Sequence, residues 1–150
     1  MKKELSVSAI KEGTVVDHIP GKATFKVVDI LDLKGIRGTI SVATNLNSKT
    51  MGKKGIIKIS GKDLTKEEVD KIALIAPNAT VNIIKNYDVK EKINVAIPST
   101  IKKIIKCSNP NCVTNNETVM TKFYVLGKDP LKVKCHYCER SMVKEDISLL

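Results

Sequence analysis

Four cysteines carry the most specific chemistry in this chain: Cys107, Cys112, Cys135 and Cys138, with no others present. They fall in two close pairs, Cys107-Ser-Asn-Pro-Asn-Cys112 and Cys135-His-Tyr-Cys138. Tetrahedral Zn²⁺ takes thiolates at ~2.3 Å, and two facing turns deliver four of them. The spacing predicts a structural Zn²⁺ site with one ion per chain. Two disulfides, or unpaired core thiols, are the competing readings. No apolar export segment follows Met1-Lys-Lys-Glu4, and disulfides belong mostly to exported proteins. Four sulfurs complete the tetrahedron, so no position stays open for a reacting water. His136 lies between two ligands but is not needed as one. The metal is therefore expected to hold a fold together, not to catalyse.

A segment this short cannot bury a large core, and metal binding worth ~10–16 kcal/mol substitutes for one. Val119 to Leu126 and Leu131 to Val133 form two alternating apolar runs on either side of a Lys128-Asp-Pro130 turn. They predict a small antiparallel sheet carrying the site. With 26 Lys and Arg against 16 Asp and Glu, the formal charge is +10, which calls for an anionic partner. Charged residues interrupt every apolar stretch, so no membrane span is expected. Reduced thiols and the missing export segment point to the cytoplasm.

Upstream, Val15 and Val16 mark a first strand, ended by Ile19-Pro20-Gly21. From Lys22 the period changes. Ala23, Val27, Val28 and Leu31 share one helical face, which predicts an amphipathic helix of about three turns. Residues 39–44 alternate as a strand, Asn45 to Lys54 reads as a polar loop, and Gly55 to Ile59 is the next strand. Thr65-x-x-Glu68 is a capping box opening a second helix, with Val69, Ile72, Ala73 and Ala76 on its apolar face. Residues 80–84 are a fourth strand, and extended chain follows from Tyr87 to Ile97. The order β-α-β-β-α-β predicts an α+β, ferredoxin-like domain over residues 1–100, with both helices on one face of the sheet. An all-β zinc-binding domain over 101–150 follows.

No nucleophile elbow, phosphate loop or G-x-G-x-x-G occurs, and Glu67 and Glu68 serve the helix start. Asp17 and His18, as strand neighbours, are expected on opposite faces. Alternation puts Ile57, Ile59, Val81 and Ile83 toward the helices. Ile56, Lys58, Asn82 and Ile84 then share the other face, where an ammonium and an amide among aliphatics could hold a flat ring beside an anion. An ordinary solvent face is the plainer reading. The rival functional class is a basic zinc-ribbon protein that binds nucleic acid. Aromatics at 3% and dispersed lysines weigh against it.

Several separate stretches resemble the regulatory chain of aspartate carbamoyltransferase. They are Gly13-Thr-Val-Val-Asp-His-Ile-Pro20, Met51-Gly-Lys-Lys-Gly-Ile-Ile-Lys-Ile59, Ala76-Pro-Asn-Ala-Thr-Val-Asn82, Asn86-Tyr87 and the two cysteine pairs with Asn109-Pro-Asn111. The resemblance runs from about residue 5 to the C-terminus and implies a non-catalytic allosteric subunit in pyrimidine biosynthesis. It implies an N-terminal domain that binds CTP and ATP and pairs in regulatory dimers. It also implies a zinc domain that docks on the catalytic chain, three dimers bridging two catalytic trimers. Nucleic acid and membranes are not among the implied partners. Carried over by residue, the nucleotide site comprises Val7, Ser8, Ala9, Ile10, Asp17, His18, Ile56, Lys58, Asn82, Ile84, Tyr87, Val89 and Lys92. Lys58, Lys92 and His18 would meet the triphosphate, and Asp17 the ribose. Ala9, Ile10, Tyr87 and Val89 would frame the base. Asn111 and Arg140, beside the knuckles, would contact the catalytic chain.

Overall fold

A computed structural model describes residues 9–150. The chain forms two compact units that divide between Ala96 and Ile97.

In the N-terminal unit, β1 (Gly13–Pro20) runs into a single 3₁₀ turn and α1 (Thr24–Ile30). Then come β2 (Ile40–Ser48), β3 (Gly52–Ser60), α2 (Lys66–Ile75), β4 (Thr80–Lys85) and β5 (Asp88–Asn94). The sheet order is β2-β3-β1-β4-β5, and every neighbouring pair is antiparallel. Its first four strands have the ferredoxin-like order, and β5 extends the sheet at the β4 edge. The helices pack on each other, with α1 against β3. Beneath them Val16, Val27, Ile57, Ile59, Ile72 and Val81 are buried. Thr65 caps α2: its hydroxyl accepts from the Glu68 N–H, and the Glu68 carboxylate accepts from the Thr65 N–H.

Two extents and one buried residue differ from the sequence reading. α1 is only seven residues long, because its first turn is 3₁₀. The stretch Asn45–Lys54 is mostly strand: a register shift between Ala43 and Leu46, with Asn45 at φ 61°, lets β2 and β3 pair on to Ser48 and Gly52. Buried Thr24 was not expected on a helix core face. Its hydroxyl bonds the Gly21 carbonyl and Thr44, and a Cβ on Gly55 would lie 1.9 Å from its Oγ1. Glycine at 55 is what allows α1 to approach β3.

In the C-terminal unit, β6 (Thr100–Lys102), β8 (Lys122–Lys128), β9 (Leu131–Cys135) and β10 (Ser141–Val143) form a sheet of order β10-β9-β8-β6. β7 (Ile105–Lys106) pairs with β11 (Ser148–Leu149), and α3 (Val113–Asn116) is a single short turn after Cys112. Ile101, Phe123, Val133 and Met142 are buried on the inner face.

Candidate functional site

The four thiols converge. All their sulfurs lie within 4.8 Å of one another, with Cys107 Sγ 3.6 Å from Cys138 and Cys112 Sγ 3.8 Å from Cys135. A tetrahedron with ~2.3 Å metal–sulfur bonds has edges of about 3.8 Å, so the donor set fits one ion of that size. Such distances exclude disulfides, whose sulfurs would be bonded at ~2.05 Å. Each knuckle is built locally. The Asn109 carbonyl accepts from Cys112 N–H, and the Asn115 amide donates to the carbonyls of Cys107 and Asn109. Cys135 N–H donates to Arg140, Glu139 N–H donates back to Cys135, and Glu139 adopts φ 61° to close the turn. Thr114 donates its hydroxyl to Cys112 Sγ at 3.2 Å.

Burial pushes the Cys107 thiol up to about 12 and also raises Cys135. Burial acts the same way on Cys138, but the Arg140 N–H, the Asn109 side chain and neighbouring sulfurs outweigh it and bring Cys138 down to about 7. Cys112 is likewise lowered against its burial, chiefly by Thr114. A bound cation favours the thiolate form of all four. His136 is not among the converging residues; its Nδ1 meets the Tyr124 hydroxyl at 2.6 Å. Asn111 and Arg140 are both exposed beside the knuckles.

The second candidate site is the face of the N-terminal sheet opposite the helices. Register assembles it. Ser41, Lys58, Val15, Asn82 and Lys92 are successive cross-strand partners in one row spanning the five strands. The next row holds Gly13, Ile84 and Val89. On the other side, β1 shifts register between Val16 and Ile19, which pair with Ile57 and Gly55. Asp17 and His18 therefore both stand opposite Ile56. Strict alternation fails there, since His18 sits at φ 58° and its Nδ1 reaches Thr80, the partner of Asp17, at 3.0 Å. The bulge thus brings Asp17 and His18 to one face.

Asn82 is the most telling member. Its Oδ1 is shielded from solvent and, among the described residues, accepts no hydrogen bond. A buried acceptor left over is costly, and a donor from a bound molecule would satisfy it. Tyr87 forms, with Asn86, a two-residue β4–β5 turn with both φ angles positive, and its N–H donates to the Lys11 carbonyl. That bond holds the segment of Ala9 and Ile10 beside the turn, where Tyr87 and Val89 are 65% and 57% exposed. Glu91 pairs with Ile83 and so lies on the opposite face from Lys92. Val7 and Ser8 lie outside the described residues. Lys54 was missed: it pairs with Asp17 at 3.0 Å and shares a face with Ile56 and Lys58. Alternation would have found it had the loop not been drawn through it.

Residues 5–96 match the family model described as aspartate carbamoyltransferase regulatory chain, allosteric domain. Residues 99–148 match the metal binding domain of the same chain. The chain belongs to the aspartate carbamoyltransferase regulatory chain family. Similar proteins bearing that description include one from Pyrococcus horikoshii, 58% identical over 146 residues and 96% of each chain. Another, from Bacteroides fragilis, is 47% identical over 149 residues, 99% of this chain and 97% of the relative. The chain is thus a regulatory, non-catalytic subunit with an allosteric domain and a metal-binding domain. Nothing in these likenesses favours the nucleic-acid reading. No helix among the described residues is long and apolar enough to cross a membrane.

Proposed function

We propose that the N-terminal unit binds CTP and ATP on its helix-free sheet face and that the C-terminal unit, clamped by Zn²⁺, docks on the catalytic chain. The observation that carries this reading is the row from Lys58 through Asn82 to Lys92. The two lysine backbones stand three strand spacings apart, roughly 14 Å. Their flexible ammonium groups can close on one polyphosphate, with Lys54 and His18 adding donors at the bulge. The unpaired Asn82 oxygen suits a hydroxyl or amino donor of the same ligand. Asp17, already accepting from the His18 N–H and Lys54, is placed to take a ribose hydroxyl. The segment of Val7, Ser8, Ala9 and Ile10, with Tyr87 and Val89, frames the base.

Zn²⁺ suits four cysteine thiolates better than hard cations do, because sulfur is a soft ligand. When bound, it joins the two knuckles into one surface, on which Asn111 and Arg140 meet the catalytic chain. Regulatory chains pair through their N-terminal units, and the assembly works in the cytoplasm. The nucleotide biases a two-state equilibrium of the whole enzyme by its different affinities for the two states. Coupling of ~1–3 kcal/mol is usual, and it is reciprocal: an active-site ligand must change nucleotide affinity by the factor that nucleotide changes its own.

Calorimetric titration of Lys58→Ala tests the site. Losing one charge-assisted contact should weaken CTP and ATP by roughly 10- to 100-fold while metal content and assembly persist. Unchanged nucleotide affinity would remove Lys58 from the site.

A further inference from the structure

In the C-terminal unit, a cavity of about 480 Å³ opens between the first cysteine knuckle and the segment 144–150. Neither site above uses it. β7 and β11 form one wall: Lys106 pairs with Ser148, and Ile105 with Leu149. Ile105 is buried, so alternation turns Lys106 and Ser148 together toward the cavity they line. Asp146, from the 3₁₀ turn Lys144–Asp146, lines it too, as do Ser108 and Pro110 of the knuckle. The charges in this space are unmatched. Lys106 and Asp146 both face it, yet neither belongs to an ion pair among the described residues. Asp146 accepts one long bond, from the Val143 N–H to Oδ2 at 3.4 Å, which leaves Oδ1 over. The Ser108 and Ser148 hydroxyls make no hydrogen bond among the described residues.

The chemistry of a ligand follows from that lining. A cation and an anion that face one space without meeting select a molecule carrying the complementary pair. A dicarboxylate or a phosphate would suit Lys106 but be repelled by Asp146, and a polyamine would meet the reverse. A small zwitterion satisfies both. Serine hydroxyls can donate to its carboxylate and accept from its ammonium. Pro110 offers apolar surface to whatever side chain it bears. The volume lies within the range of small-molecule sites.

We propose that this cavity binds a free α-amino acid, with the ligand's carboxylate on Lys106 and its ammonium on Asp146. Bound there, the amino acid ties the segment 144–150 to the knuckle, a join that β7 and β11 otherwise make with two residue pairs. A ligand that binds only the folded unit stabilises it, so occupancy slows the loss of metal to a chelator. The test uses saturation-transfer NMR on the metal-loaded full-length chain. The probes are L-alanine, L-leucine and L-aspartate, with propionate and ethylamine as half-ligands. The amino acids should bind, and neither half should. Asp146→Asn and Lys106→Gln should each weaken binding about 10-fold or more, because each removes one charge-assisted contact. Metal content and CTP affinity should not change. Should either variant lose its metal, Ser148→Ala, which keeps both charges, is measured in its place and should weaken binding by about 2- to 10-fold. Absence of amino-acid binding to the metal-loaded wild type would overturn the proposal. So would binding that metal-loaded variants retain in full, which would place the ligand elsewhere. Propionate binding as tightly as L-alanine would overturn it in favour of a simple anion site. None of these results touches the nucleotide reading, which CTP affinity reports separately.

Discussion

In the N-terminal unit, Val16, Ile57, Ile59 and Val81 pack under two helices, and the core is mainly apolar contact with the hydrogen-bonded Thr24 buried among it. In the C-terminal unit, Phe123, Val133 and Met142 make a smaller core, and four thiols from two separated knuckles meet beside it. The first arrangement can be loosened in steps, because each side chain contributes its own area. The second depends on one centre that all four ligands share, so it fails as a whole. The difference also decides where function can sit. A two-layer domain leaves one sheet face free of helices for a ligand. A cross-linked module keeps its ion inside and has only its outer surface to offer a partner.

Breaking the cross-link should have the largest effect. Cys112→Ser is expected to lose the metal and, with it, binding energy on the order of 10 kcal/mol. Hydrogen exchange should then show protection lost across 97–150 and retained across the sheet of the other unit. Loss of protection in both would erase the contrast. Ile57→Ala is the converse experiment. Emptying a fully buried site under the helices should cost ~2–5 kcal/mol in the N-terminal unit, read by denaturant unfolding, with metal content unchanged. The smallest effect is expected from Thr65→Ala. It removes one capping hydrogen bond from α2 and should cost ~1 kcal/mol, without altering nucleotide or metal binding.

What was legible in the sequence was whatever depended on neighbours in the chain. The capping box at Thr65 and Glu68 is complete within four residues, and each cysteine pair is a self-contained turn. The strand faces followed from alternation, which placed Lys58, Asn82 and Ile84 together before any register was known. The rest depended on partners far along the chain. The bulge at Asp17 and His18 exists because Ile19 pairs with Gly55, and nothing local to His18 announces it. Asn45 reads as loop, yet its positive φ is absorbed as a bulge once β3 lies alongside. β7, β10 and β11 are two or three residues long, too short to show a period. The fit of Gly55 to Thr24 is a contact between elements, invisible in either segment alone.

In the function proposed above, triphosphate sensing and metal-dependent docking reside in separate units. Calorimetric titration of CTP into the full-length chain, before and after stripping the metal, tests this directly. The same affinity in both states, with association to the catalytic chain lost only after stripping, is the predicted result. Nucleotide binding that disappears with the metal, or that is missing from the metal-loaded chain, would contradict it.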